Sequence, residues 1–78
     1  MASQRSAVAK AFGAVLRAHR LEAELTQEAL AARCGLHATY ISQLERGLKT
    51  PSLAVLVDLA GELGTRASLL VKEVEGTR

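Results

Sequence analysis

The side chains that could support catalysis are few and scattered. His19, Cys34, His37 and Asp58 are the main candidates, together with dispersed glutamates. No nucleophile motif, phosphate-cradling loop or metal-ligand spacing joins them. The single cysteine cannot form an internal disulfide, and with two distant histidines it does not make a zinc site. We therefore expect no enzymatic activity, no metal and no cofactor.

Positive charge is concentrated in the first half of the chain, which suggests a different chemistry. Residues 1–49 carry seven Lys or Arg against four Glu, whereas residues 50–78 carry three against four acidic residues. The net charge of +2 is by itself weak support for nucleic-acid binding. Its distribution, however, places the positive potential in the half that holds the helix pair identified below, as expected for a polyanionic partner.

Length and composition predict a single all-α domain. A chain of 78 residues supports one small core with only a few kcal/mol of net stability, so self-association would help. Its apolar residues are chiefly Ala, Leu and Val, interleaved with Glu, Arg and Gln, and this mixture favours helices. No uncharged run is long enough to span a bilayer, and the N-terminus lacks the apolar core of a signal peptide. We expect a cytoplasmic protein without a membrane partner.

Apolar periodicity and end signals predict the first three helices. Helix 1 should run from Ser6 to about His19, with an apolar stripe formed by Val8, Phe12, Val15 and Leu16. Helix 2 starts at the N-cap Thr26 and stops at Gly35, which can adopt the left-handed conformation. Helix 3 follows over about residues 38–46 and stops at Gly47. The residues expected to face inward are Leu30, Ala31, Ile41 and Leu44.

The C-terminal third predicts two further helices. Helix 4 starts at Ser52, or at Thr50 with Pro51 in its first turn, and closes at Gly64. Its expected apolar stripe consists of Leu53, Leu56, Val57, Ala60 and Leu63. A final helix spans about residues 67–74. This arrangement gives one domain at residues 6–74, with flexible tails at residues 1–5 and 75–78.

Helices 2 and 3 are joined by a turn of about three residues, which predicts a helix-turn-helix unit over residues 26–47. In this arrangement the second helix is presented to the major groove of DNA. The unit needs a small residue where the helices cross, a glycine in the turn and apolar residues inside the second helix. The chain supplies all of these in register with Ala31, Gly35, Leu36, Ile41 and Leu44.

The stretch from Thr26 to Gly64 resembles the Xre-like family of regulators, which includes the lambda-type phage repressors and Cro. Its markers are Thr26-Gln27-Glu28, Leu30-Ala31, Gly35, Tyr40-Ile41-Ser42, Leu44-Glu45-Arg46-Gly47, Pro51-Ser52-Leu53 and Leu59-Ala60. With Leu16-Arg17 and Arg20 upstream, the resemblance covers roughly residues 12–74. It implies a five-helix, lambda-repressor-like DNA-binding domain.

The resemblance implies contacts with the DNA backbone at four positions, namely Gln27, His37, Arg46 and Lys49. Gln27 opens helix 2, whose N-terminus favours a phosphate, although it could also be a simple solvated residue. His37 stands where the family has a Ser or Thr N-cap, and it is either a phosphate contact or an incidental surface residue. Arg46 and Lys49 lie just past helix 3, where the family places backbone contacts.

The resemblance also implies that Ala38, Thr39, Ser42 and Gln43 face the bases, on the side of helix 3 opposite its buried residues. Gln43 can form two hydrogen bonds with adenine, and Ala38 and Thr39 can contact a thymine methyl group. Solvation without base contact is the alternative for each. Because no arginine precedes Arg46 on this helix, DNA shape and backbone contacts should carry much of the specificity.

Two further sets of residues are expected to hold the domain and its assembly together. Arg20 and Glu45 occupy positions at which the family has a partly buried ion pair, and this pair ties helix 1 to helix 3. The last helix is more apolar than one small core needs, which is typical of an interface. The expected homodimer contacts are Leu69, Leu70, Val71 and Val74.

These features imply a homodimeric transcriptional regulator that binds double-stranded DNA at a near-palindromic operator. We expect it to act in the cytoplasm of a bacterium or phage host, at the nucleoid, without a small-molecule ligand. A short five-helix chain of this kind also resembles the controller proteins of restriction-modification systems, which is a narrower interpretation. The competing interpretation is an antitoxin or another protein-interaction module of the same fold.

Overall fold

Five helices make up the part of the chain that the structure, a computed structural model, describes: the backbone of residues 2–77 and the side chains of residues 5–76. The helices are α1 (Ala2–Glu22), α2 (Gln27–Cys34), α3 (Ala38–Glu45), α4 (Leu53–Glu62) and α5 (Ala67–Thr77). No strand occurs within residues 2–77. The expected all-α, five-helix fold is therefore confirmed.

The first and last helices are longer than predicted. α1 begins at Ala2 rather than Ser6, and α5 continues to Thr77 rather than stopping at Val74. Both predicted tails, residues 1–5 and 75–78, are therefore helical where the structure describes them, while residues 1 and 78 lie outside the described part. The predicted bounds followed the apolar stripes, but a helix can continue beyond its apolar stripe, and Ala, Gln and Arg at the start of α1 favour this. Gly76 and Thr77 are poor helix formers, so propensity does not explain the end of α5.

The ends of α2 follow the predicted chemistry. Thr26 is the N-cap, and its Oγ1 accepts a hydrogen bond from the Ala29 amide at 3.0 Å. Gly35 closes the helix at φ 66°, and the next amide, from Leu36, donates to the Ala31 carbonyl at 2.8 Å. This pair of features is the Schellman ending, which directs the chain into the turn before α3.

The start of α4 resolves an alternative that the sequence left open. Ser52 Oγ accepts a hydrogen bond from the Val55 amide at 3.2 Å, so Ser52 is the N-cap. Thr50 and Pro51 lie before the helix, in the connector.

The apolar stripe predicted for α4 is partly wrong. Leu53 and Val57 are 75% and 53% exposed, whereas Leu59 and Ala60 are buried. The buried side also includes the half-buried Leu56 and Leu63, at positions separated by three, one and three residues. That spacing is the true helical face, and the predicted stripe lay partly to one side of it.

Leu70 and Val74 are core residues, which corrects their assignment to a dimer interface. They are 0% and 7% exposed, because positions four apart share the face of α5 that packs against α1 and α4. Leu69 and Val71 point elsewhere and remain 47% and 42% exposed.

The core joins all five helices around the predicted inner residues. Its buried members include Phe12, Val15 and Leu16 of α1, which pack with residues from the other four helices. α1 lies between α3 and α5, and α2 packs on both α3 and α4. This frame fixes the position of α3 relative to the rest of the molecule.

Candidate nucleic-acid interface

The helix pair α2 and α3 is held together by a buried seam. Leu30 and Ala31 of α2 are 0% and 2% exposed, and Ile41 and Leu44 of α3 are both fully buried. The expected inward positions of the helix-turn-helix unit are thus confirmed. α3 begins after His37, whose side chain makes no capping hydrogen bond.

The opposite side of α3 carries the side chains predicted to face DNA bases. Thr39 is exposed, and Ser42 and Gln43 are half-buried. Ala38 is also half-buried and packs against the core, so less of its methyl group is available to a base. The structure therefore brings Thr39, Ser42 and Gln43 to one side of a rigidly packed helix.

The side chains predicted to contact phosphates surround the two ends of α3. His37 precedes the helix, and Arg46 and Lys49 follow it, and all three are exposed. Arg46 Nε donates to Ser42 Oγ at 3.2 Å, which links a predicted backbone contact to a predicted base contact. The hydroxyl proton of Ser42 is left free to donate.

Glu45, the last residue of α3, accepts hydrogen bonds from two other parts of the chain. Arg20 Nε and Nη2 donate to its two carboxylate oxygens at 2.6 and 2.9 Å. The ion pair implied by the resemblance is therefore present, and it has two hydrogen bonds. The Arg20 and Glu45 side chains are only 9% and 3% exposed. Arg20 Nη1 also donates to the Leu25 carbonyl at 2.8 Å, so the same guanidinium fixes the loop before α2.

Gln27 belongs to this buried network, which sequence reasoning missed. Its Nε2 donates to Glu45 Oε1 at 3.1 Å. One N–H of the amide is thus occupied, and the second remains for a partner outside the protein. Gln27 and Glu45 are 18 residues apart, and no local pattern in the sequence signals their contact.

The network changes the acid–base properties of Glu45. Burial opposes ionisation of the carboxyl group, but hydrogen bonds from Arg20 and Gln27, together with the charges of Arg20 and Arg17, outweigh it and lower the pKa of Glu45 below its ordinary value of 4.5. Hydrogen bonding to Glu45 in turn raises the pKa of Arg20. Both groups are therefore charged in the folded protein at neutral pH.

We expect part of the stability of the domain to be lost in acid. Because the pKa of Glu45 is lower in the folded state, its contribution is complete above the unfolded value near 4.5 and disappears as the pH falls through the folded value. Urea unfolding between pH 3 and 7 should show this decline. Glu45→Gln should lack this component, whereas Glu22→Gln, at an exposed position, should retain it. Identical pH profiles for wild type and Glu45→Gln would contradict the assignment.

A glycine that the sequence did not single out allows α1 to approach this network. A Cβ atom at Gly13 would lie 2.5 Å from the backbone carbonyl oxygens of both Leu44 and Glu45. The backbones of α1 and α3 thus meet at the C-terminal end of α3. An isolated glycine within a helical pattern is the one signal that could have identified this contact.

The residues considered for catalysis do not converge. His19 Nε2 lies 2.9 Å from a carboxylate oxygen of Glu73 and links α1 to α5. Burial, together with the charges of Glu62 and Asp58, raises the pKa of the Cys34 thiol, so the reactive thiolate is disfavoured. Within the described residues, no three His, Cys, Asp or Glu side chains are grouped to hold a metal ion.

No helix in this part of the chain has both the length and the apolar character needed to cross a membrane.

Comparisons with known proteins identify the family. The HTH_3 model, described as helix-turn-helix, matches residues 16–70. The immunity repressor protein of Bacillus phage phi105 is 39% identical over 61 residues, which are 78% of this chain and 42% of the repressor. The control protein C.BamHI of Bacillus amyloliquefaciens is 41% identical over 56 residues, covering 70% of this chain and 69% of that protein. The chain thus spans less than half of the phage repressor's length.

Solved structures share the same architecture. The clp gene regulator ClgR from Corynebacterium glutamicum superposes with a TM-score of 0.85 at 31% identity, covering 90% of this chain and 74% of that one. The restriction-modification controller protein C.AhdI from Aeromonas hydrophila gives a TM-score of 0.76 at 35% identity, with coverage of 80% and 94%. The resemblance to Xre-like regulators is thereby confirmed, and the chain belongs to the HTH_3 helix-turn-helix family of DNA-binding transcriptional regulators.

Proposed function

We propose that the chain acts as a homodimer that reads a near-palindromic operator, with one α3 in the major groove of each half-site. The observation that carries this proposal is the division of α3 into two sides. Ile41 and Leu44 are fully buried, while Thr39, Ser42 and Gln43 lie on the other side with solvent access. A two-fold dimer of such units would read half-sites about one helical turn apart, or a multiple of it.

The proposed contacts divide into two classes. Gln43 would pair with adenine through two hydrogen bonds, while Thr39, Ser42 and the remaining exposed part of Ala38 would contact neighbouring base edges. Backbone contacts would come from Gln27, His37, Arg46 and Lys49. Gln27 offers its free amide N–H at the N-terminus of α2, which is itself favourable for a phosphate.

The experiment that tests this function is selection of bound sites from random duplex DNA, followed by titration at several salt concentrations. Gln43→Ala should relax the base preference at one position of each half-site and cost about 1–3 kcal/mol of binding there. Lys49→Ala should weaken binding equally on all sequences and reduce the salt slope by about 0.9. Absence of salt-sensitive DNA binding by the wild type would contradict the proposal and favour an antitoxin or another interaction module.

The homodimer proposal rests on the exposed side of α5. Leu69 and Val71 are the two interface positions that packing leaves accessible, at 47% and 42% exposure. An apolar groove adjoins Val71 and is lined mainly by Val8, Pro51 and Leu56, together with the small exposed parts of the core residues Phe12 and Val74. Val71 and the groove form one apolar surface of the kind that marks an interface, while Leu69, two residues away, lies on another side of α5.

We expect Val71→Glu to raise the dimer dissociation constant at least tenfold, which corresponds to about 1.4 kcal/mol. The substitution places a charge on the surface that the second protomer would bury. Sedimentation equilibrium at tens of micromolar protein should show the shift from dimer to monomer. Leu21→Glu is the matched control, because Leu21 is 52% exposed near the end of α1 and does not line the groove. A wild type that is monomeric at that concentration would refute the dimer.

A narrower role is also part of the proposal: autoregulatory control of a restriction-modification system, acting in the cytoplasm at bacterial or phage DNA. Its support is the similarity to C.BamHI and C.AhdI. In this role the protein would be regulated by its own concentration, without a small-molecule ligand. Binding of the protein to the promoter of its own gene, beside genes for a methyltransferase and an endonuclease, would test this role.

A further inference from the structure

α1 carries a charged side to which neither the family resemblance nor the proposed contacts assign a role. Lys10, Gly13 and Arg17 are separated by three and four residues, so they share one face of the helix. Gly13 is buried, whereas Lys10 and Arg17 are exposed. The two cations therefore flank the point at which α1 touches its neighbour.

The neighbour at this point is the C-terminal end of α3 and the loop after it. A Cβ atom at Gly13 would lie 2.5 Å from the Leu44 and Glu45 carbonyl oxygens. A Cβ atom at Gly47 would lie 2.9 Å from Lys10 Cα. Arg17 acts on the same end, because its charge helps to lower the pKa of Glu45.

This end of α3 is surrounded by cations that have no acidic partner. Arg46 and Lys49 follow the helix, and Lys10 and Arg17 face it from α1. The one buried carboxylate nearby, that of Glu45, is already paired with Arg20. Among the described side chains, none of the four flanking cations forms an ion pair. The surface is therefore strongly positive and suits a polyanion.

The two α1 cations could instead have a purely structural role, but the stabilisation that this role would provide is small. A cation near the C-terminus of a helix stabilises it by about 0.3–1 kcal/mol when exposed, and the effect is confined to the last turn. Lys10 and Arg17 are seven positions apart, or about 10.5 Å along the helix axis. They can therefore meet two separate anionic groups, as a polyanion offers.

We propose that Lys10 and Arg17 bind phosphates of the duplex that flanks the half-site read by α3, extending the backbone contacts of Arg46 and Lys49 onto α1. This inference rests on the proposed DNA binding and adds a second element to it. The partner is the sugar-phosphate backbone of double-stranded DNA, without base recognition. The contribution is then electrostatic and independent of sequence.

The test compares Lys10→Gln and Arg17→Gln with the wild type on the selected operator between 50 and 200 mM salt. In each variant the negative slope of log affinity against log salt should become shallower by about 0.9. When the salt is raised from 50 to 200 mM, the variant should therefore lose about 3.5-fold less affinity than the wild type loses. The preferred sequence should stay unchanged. Arg66→Gln is the matched control, because Arg66 is exposed between α4 and α5, and it should keep the wild-type slope.

Two additional measurements separate DNA contact from a structural role. The charge-conserving variants Lys10→Arg and Arg17→Lys should keep the wild-type slope. If the glutamine variants lower the melting temperature but leave the slope unchanged, the cations stabilise α3 and the inference is overturned. If the wild type binds DNA in a salt-sensitive way, and Lys10→Gln and Arg17→Gln keep the same salt slope as the Arg66→Gln control, the inference fails while the proposed function stands. Loss of salt-sensitive binding in the wild type itself would overturn both.

Discussion

Replacing Glu45 with alanine is expected to lower the free energy of unfolding by about 3–5 kcal/mol, the usual cost of removing one partner of a buried ion pair. The Arg20 side chain is only 9% exposed and would keep its charge without a counter-charge. The Gln27 amide would lose its acceptor at the same time. Such a loss would consume much of the few kcal/mol that a core of this size supplies.

A double-mutant cycle with Arg20→Met measures this coupling. If the pair acts as the distances indicate, the double variant should be much less destabilised than the sum of the two single variants. Glu22→Ala provides the control at an exposed glutamate of α1 and should change stability by no more than about 0.5 kcal/mol. Additive effects of the two substitutions would refute the pairing.

Alanine at Gly13 is expected to destabilise the domain by about 1–3 kcal/mol, although alanine normally stabilises a helix relative to glycine. Its methyl group would lie 2.5 Å from two backbone carbonyl oxygens, and neither can move aside as a flexible side chain would. α1 would have to shift away from α3. Because α3 holds the proposed base contacts, DNA affinity should fall as well.

Gly61→Ala is the matched control, since Gly61 lies within α4 and an added Cβ atom there meets nothing within 4 Å. This variant should be neutral or more stable, by up to about 1 kcal/mol. Thermal and urea unfolding of the two variants side by side should therefore show opposite signs. A stabilised Gly13→Ala protein would mean that the close approach of α1 and α3 is not required.

Local chemistry explains which parts of the fold could be predicted from the sequence. Thr26 as N-cap and Gly35 in the turn depend only on residues within a few positions along the chain. The inward positions Ile41 and Leu44 follow from helical spacing over one turn. The helix-turn-helix unit was therefore predictable almost residue by residue.

The features that escaped prediction depend on which other helix a residue meets. Leu70 and Leu69 are adjacent and chemically identical, and only the packing of α5 on α1 makes one core and the other surface. The hydrogen bond from Gln27 to Glu45 likewise joins two helices through their mutual orientation. For the candidate site, sequence reasoning therefore named the residues, while the three-dimensional packing shows how they support one another.

The brevity of α2 and α3 has a consequence for the lifetime of the protein in the cell. Each has eight residues, and isolated helices shorter than about 12–15 residues are marginal in water. The reading unit therefore exists only while the whole domain is folded. DNA that binds only the folded protein adds about 2.7 kcal/mol to the free energy of unfolding when the concentration of free operator is 100 times the dissociation constant. Operator occupancy would thus shield the protein from proteolysis, and the unbound fraction would turn over first.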